Sequence, residues 1–205
     1  MSQSLVEQVR MAGVVGAGGA GFPTHIKLGA RCEVVIANGA ECEPLLQCDQ
    51  QIIAAFADRV LLGLELAMRA TGAQEGVVAI KGKYRSAIDA AQRALPKSAR
   101  HIRIHTLQDH YPAGDEQVLV YEVLGRVVPP GKLPMHVGAL VQNVHTLMHV
   151  ADAAEGRPVV DRFVSVLGEV RRPQTLRVPI GTPVATAIEL CGGATCTPFA
   201  VVRGG

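Results

Sequence analysis

Four glycines stand within six residues, Gly16-Ala17-Gly18-Gly19-Ala20-Gly21, and Phe22-Pro23-Thr24 follow at once. A loop with so few Cβ atoms lets its backbone approach a ligand closely and turn through φ > 0. Successive N–H groups in such a loop converge on an anion, most often a phosphate. A phosphate-bearing ligand is therefore the expectation. The plain alternative is a glycine-rich turn that only permits close packing.

Elements alternate along the rest of the chain. Leu5, Val6, Val9 and Met11 set a short amphipathic helix before the glycine loop. Residues 33–37 form an apolar run that ends at Asn38-Gly39 and reads as a buried strand. Ile53, Phe56, Val60, Leu61, Leu64 and Met68 recur at helical spacing, and Gly72 stops the helix. A strand over 76–80 and a helix over 84–95 closed by Pro96 follow. Next come an alternating strand over 101–107 and a helix over 115–124 with Gly125 at its end. A strand over 139–141 then leads into a helix from Asn143 to about Ala154. Strand–helix alternation predicts an α/β fold: a Rossmann-like, mainly parallel sheet with helices on both faces. Ligands of such sheets sit beyond the carboxyl ends of the strands. Asn38, Tyr111 and Asn143 each follow a strand, so their loops are expected to meet at one rim.

After Gly156 the texture changes. A strand over 163–167 enters a hairpin at Gly168-Glu169 and pairs with residues 176–180. A short helix over 183–191 and a last strand over 199–202 complete a ββαβ order. The expected organisation is a first domain over 1–156 and a partial β-grasp-like unit over 157–205, a piece of a longer protein.

Composition narrows the function classes. Hydrophobic residues are 48% of the 205 and charged residues 19%, which fits a buried core and not a disordered chain. A net charge of +2 with scattered basic residues, and only 3% aromatics, argue against a nucleic-acid partner. No apolar run approaches the roughly 18 residues of a membrane span. No basic-then-apolar leader opens the chain, so a cytoplasmic setting is expected. Five cysteines, an odd number, fit reduced thiols. Neither Cys42/Cys48 nor Cys191/Cys196 has zinc or iron–sulfur spacing. His145 and His149 stand at i,i+4 on an expected helix (His101 and His105 have the same spacing but lie on an expected strand), and no metal site is expected. No nucleophile motif for hydrolysis is present.

Gly16, Gly18 and Gly21 match G-x-G-x-x-G, with Glu41 at the acidic position of that dinucleotide fingerprint. The fingerprint requires a preceding strand and a following helix, whereas here a helix precedes and Phe22-Pro23 follows. A Rossmann dehydrogenase using NAD without flavin is thus a rival reading that lacks its context. Pro23 at the first position of a helix would soften the objection. Asn38-Gly39-Ala40-Glu41-Cys42-Glu43-Pro44 places two carboxylates in a strand-to-helix loop, suited to ribityl or ribose hydroxyls. They equally suit the positive end of a helix. Tyr111-Pro112-Ala113-Gly114-Asp115-Glu116 is a glycine turn before a helix, with Asp115 as an ordinary N-cap in the simplest reading. Val141-Gln142-Asn143-Val144-His145-Thr146 sets Asn143 and Thr146 at a helix start.

In order and spacing these four segments resemble the FMN subunit of respiratory complex I and the RnfC electron-transport proteins. The stretch over 40–51 points to the PduS-type corrin reductases of bacterial microcompartments within that group. The resemblance implies FMN held non-covalently, with NADH as substrate. It implies a pocket lined by Gly16, Gly18, Gly19, Gly21, Lys27, Asn38, Glu41, Glu43, Tyr111, Gly114, Asp115, Glu116, Asn143 and Thr146. Phe22 would lie near the nicotinamide or adenine. It makes the C-terminal part a soluble-ligand-binding β-grasp (SLBB-like) domain and puts iron–sulfur clusters in a region absent from this chain. Ala17 stands where complex I-type loops carry Arg, which removes a cation near the nucleotide.

The expected function is an NADH-dependent flavin oxidoreductase module. Hydride passes from NADH to FMN, and electrons go on to a redox partner protein, an iron–sulfur domain or a corrinoid. Other electron-transport subunits and microcompartment shell proteins are further partners implied. The implied settings are a microcompartment or the periphery of a membrane complex. No side chain is cast as a catalytic acid or base, because the hydride chemistry belongs to the cofactors. A non-catalytic docking subunit is the other rival.

Overall fold

A computed structural model describes residues 4–43, 45–95 and 101–204. Pro44, at the end of the second motif, and Pro96, the expected stop of a helix, lie outside the described residues. Two compact units are present: the described residues of Met1–Cys42 with Asp49–Val159, and those of Glu43–Cys48 with Val160–Gly205.

The first unit is built on four parallel strands: β1 (Val34–Gly39), β2 (Glu75–Lys81), β3 (Ile102–Leu107) and β4 (Ala139–Asn143). Their order is β3-β2-β1-β4. The chain steps outward from β1 to β2 to β3, then returns to lay β4 on the other side of β1. The strand order therefore reverses between β1 and β4, and it is beyond the carboxyl ends of strands at such a switch point that ligands of open α/β sheets bind. There Val34 pairs with Ala139 and Asn38 with Asn143 in register.

The central strands β1, β2 and β4 are buried on both faces, which is why they are largely apolar. Val34, Ile36, Val77, Ala79, Ala139 and Val141 meet Leu119, Val120 and Val123 of α5 (Glu116–Leu124) on one face. On the other, α3 (Cys48–Thr71) brings Leu64 and Met68 against Gly76 and Ile53 against Gly39. α4 (Arg85–Ala94) packs against β3, and α6 (Val144–Ala154) against β1 and β4. β3 lies at the edge, so Ile102 and Leu107 are buried while Ile104 is only half-buried.

Local sequence explains the helix ends. Ser4 caps α1 (Leu5–Met11) by accepting from the Glu7 N–H. Asp115 caps α5, accepting from Gln117 and Val118, and Gly125 closes it at φ +67°. α3 starts at Cys48, ahead of the first residue of the apolar periodicity, and is kinked at Phe56 (φ −135°, ψ 34°). The periodicity does not reveal α2 (Thr24–Leu28), whose N-cap is Pro23 in an extended conformation.

In the second unit β5 (Asp161–Val166) and β6 (Gln174–Pro179) are antiparallel, with Val164 opposite Leu176. α7 (Val184–Leu190) follows. The strand expected over 199–202 is not formed. Val170 bridges to Ala194 instead. Phe199, Val201 and Val202 are exposed and pair with no strand among the described residues. An apolar run becomes a strand only where an edge is available to take its hydrogen bonds.

Candidate functional site

The glycine loop begins where α1 ends and closes on itself. Val15 bridges to Pro23, and the Gly16 N–H donates to the Phe22 carbonyl at 2.8 Å. Gly19 and Gly21 take φ of +108° and +62°, conformations that cost other residues about 1–2 kcal/mol. A helix and not a strand precedes the loop, so the dinucleotide fingerprint lacks its structural setting here.

Two contacts dock the loop over the start of α6. The Ala17 N–H donates to Thr146 Oγ1 at 2.9 Å. A Cβ on Gly18 would lie 3.7 Å from Asn143 Cβ, at the end of β4. Asn143 caps α6, its Oδ1 accepting from the His145 N–H at 2.9 Å. The glycine loop thus reaches the rim where β1 and β4 end.

The other motifs arrive at the same rim. Asn38 Nδ2 donates to the Gly114 carbonyl at 2.9 Å, and Asn38 Oδ1 accepts from the Ala40 N–H at 3.0 Å. The Gly114 N–H donates to Cys42 Sγ at 2.9 Å. The second and third motifs are therefore stitched together through Gly114. Lys27 of α2 donates from Nζ to Glu116 Oε1 at 2.6 Å and to the Val141 carbonyl at 3.1 Å. It joins α2, α5 and β4, and its ammonium lies 5.9 Å from the Phe22 ring centroid.

Three further expected site residues have these settings in the fold. Tyr111 is 77% exposed. Asp115 has its carboxylate engaged as the α5 cap. Glu43 belongs to the second unit, not to the one that carries the glycine loop. His145 and His149 stack with centroids 4.5 Å apart, and no group of three metal-ligating side chains occurs among the described residues.

One rim residue is absent from the expected set. Asp49, in the first turn of α3, donates its N–H to Glu41 Oε2 at 3.1 Å. It accepts from Asn143 Nδ2 at 2.9 Å. Burial, and secondarily the Glu41 carboxylate, push the Asp49 carboxyl up to about 7, against the Asn143 hydrogen bond. An acid in the first turn of a helix is common, so the sequence carries no stronger signal for it.

At this rim stand a bare loop, the Lys27 cation, the amides of Asn38 and Asn143 and the carboxyl groups of Glu41, Asp49 and Glu116. Residues 9–152 match the Nuo51 FMN-binding domain, and residues 163–202 match the SLBB domain. The chain belongs to the family of FMN-binding flavoprotein domains defined by that first match.

Among relatives, the chain is 47% identical over 205 residues to the cobalamin reductase PduS of Citrobacter freundii, covering 100% of this chain and 45% of that protein. It is 50% identical over 200 residues to PduS of Salmonella typhimurium, covering 97% and 44%. A component of the Na(+)-translocating ferredoxin:NAD(+) oxidoreductase complex of Acetobacterium woodii is 36% identical over 210 residues, covering 100% and 47%. The chain spans less than half the length of these relatives. The fold matches that of an NAD+-reducing [NiFe]-hydrogenase chain with a TM-score of 0.78 at 24% identity, over 94% of this chain and 39% of that one.

The residues present fit FMN. A phosphate suits the loop of glycine N–H groups with Lys27 close by, and ribityl hydroxyls suit Glu41 and Glu116 as acceptors. The absence of a Cβ at Gly18 leaves the backbone open beside Asn143. No helix among the described residues is long and apolar enough to cross a membrane.

Proposed function

We propose that this chain is the flavin module of an NADH-oxidising electron-transfer protein, and that corrinoid is the acceptor class it ultimately serves. Bound FMN would supply the chemistry, taking a hydride and releasing electrons one at a time. The protein's own groups hold and orient. Gly16 closes the loop through its N–H to the Phe22 carbonyl, Gly18, Gly19 and Gly21 present backbone N–H groups, and Lys27 sets a positive charge beside them. Asn38, Glu41, Glu116, Asn143 and Thr146 fix the rim. The observation that carries this reading is the meeting of four sequence-distant motifs at the carboxyl ends of β1 and β4, with Lys27 joining the first, third and fourth and Gly114 joining the second to the third. Relatives named cobalamin reductase support the acceptor, and relatives named as parts of an oxidoreductase complex support a protein partner on the way.

An anaerobic titration of the full-length protein with NADH tests the donor. Bleaching of the flavin band at one NADH per flavin is expected, followed by reduction of added cob(III)alamin. Gly18→Val would press its branched side chain against Asn143 and is expected to weaken FMN binding roughly tenfold or more. Bleaching unaltered in Gly18→Val would move the flavin away from this loop.

A further inference from the structure

Asn143 is held from two sides. Its Oδ1 is committed to the His145 N–H at the α6 N-terminus, and its Nδ2 donates to Asp49 Oδ2. An amide with its oxygen and nitrogen so assigned cannot flip without breaking both bonds. The backbone of Asp49 is itself anchored, its N–H donating to Glu41 Oε2. A continuous chain therefore runs from Glu41 on the β1–α3 loop, through Asp49 of α3, to Asn143 beneath Gly18 of the glycine loop.

From this chain of contacts we propose that Asp49 is a positioning residue of the flavin pocket, setting the orientation of the Asn143 carboxamide against which the glycine loop rests. The role rests on the reading of this rim as the FMN site. Glu41, on the β1–α3 loop, is the titratable group that acts on Asp49; Tyr84, at the start of α4, is itself acted on by Asp49 and Glu41, and by Lys83 in the opposite sense. A neutral amide at position 49 still accepts from Asn143 Nδ2, whereas alanine cannot, so the two replacements separate hydrogen bonding from charge.

The test uses the full-length protein and two readouts. Quenching of FMN fluorescence gives the affinity of the unchanged protein, Asp49→Asn and Asp49→Ala. Asp49→Ala is expected to lose about tenfold, the size of one lost hydrogen bond to a carboxyl. Asp49→Asn is expected to recover most of that loss. The second readout needs no flavin. The Asp49 carboxyl titrates near 7 in the folded protein and near its ordinary 3.8 when unfolded. Its contribution to stability is then complete below pH 4 and is lost as the pH rises toward 7. The Tm of flavin-free Asp49→Asn is accordingly expected to gain on that of the unchanged protein between pH 4 and 7. FMN quenching of equal affinity in Asp49→Ala and the unchanged protein overturns the role, as does a Tm difference that stays flat with pH. Absence of quenching by the unchanged protein overturns the flavin reading of the rim instead, and this role falls with it.

Discussion

Gly63→Ala will lower stability by about 3 kcal/mol or more, the upper range for forcing atoms into a packed core. Gly63 lies on the buried side of α3, and a Cβ there would fall onto the Leu147 carbonyl of α6. Backbone cannot rotate away as a side chain does, so the two helices would have to part. At roughly 2–4 °C per kcal/mol for a unit of this size, calorimetry should show Tm falling by about 10 °C. The matched control is Gly29→Ala. Gly29 has φ −77°, and a Cβ there meets nothing closer than 3.5 Å. Its Tm should move little. An unchanged Tm in Gly63→Ala would mean that α3 does not cross α6 backbone to backbone at Gly63 and Leu147. The crossing bears on function because α6 carries Asn143 and Thr146 at its start.

Gly114→Ala will damage the site more than the fold. A Cβ on Gly114 would run into the Ala40 carbonyl and come within 2.8 Å of Cys42 Sγ. The same glycine accepts from Asn38 and donates to Cys42, so the second and third motifs lose their register together. A misfit of this kind costs about 1–3 kcal/mol, which is a roughly 5- to 150-fold loss of FMN affinity if it falls on the pocket. Fluorescence titration measures it, and circular dichroism checks that the fold remains. Affinity equal to that of the unchanged protein would show that the two motifs need not meet for flavin to bind.

Much of this architecture is legible in the sequence. The apolar runs of β1, β2 and β4 stand out because both faces of a parallel sheet are buried, and Asp115 and Gly125 mark the ends of α5 through local chemistry. The rim itself is also visible, because the second, third and fourth motifs stand at the ends of strands, whereas the glycine loop follows a helix. What escapes is what depends on distant partners. The β3-β2-β1-β4 order is set by packing between elements far apart in sequence. The apolar residues at 199–202 suggest a strand, yet no edge receives them among the described residues. α2 is too short to show a period. Asp49 looks like any first-turn acid until the fold brings Asn143, 94 residues away, to its carboxyl. Glu43 adjoins Cys42 in sequence, but the division between the two units falls between them.

The central claim is that side-chain-poor backbone near the N-terminus and the ends of β1 and β4 together grip FMN. A crystal structure of the protein grown or soaked with FMN tests it most directly. The account predicts the phosphate against Gly16–Gly21 with Lys27 nearby, and the ring system at the Asn38/Asn143 rim. Flavin bound anywhere else on the molecule, or a rim that stays closed to saturating FMN, would contradict it.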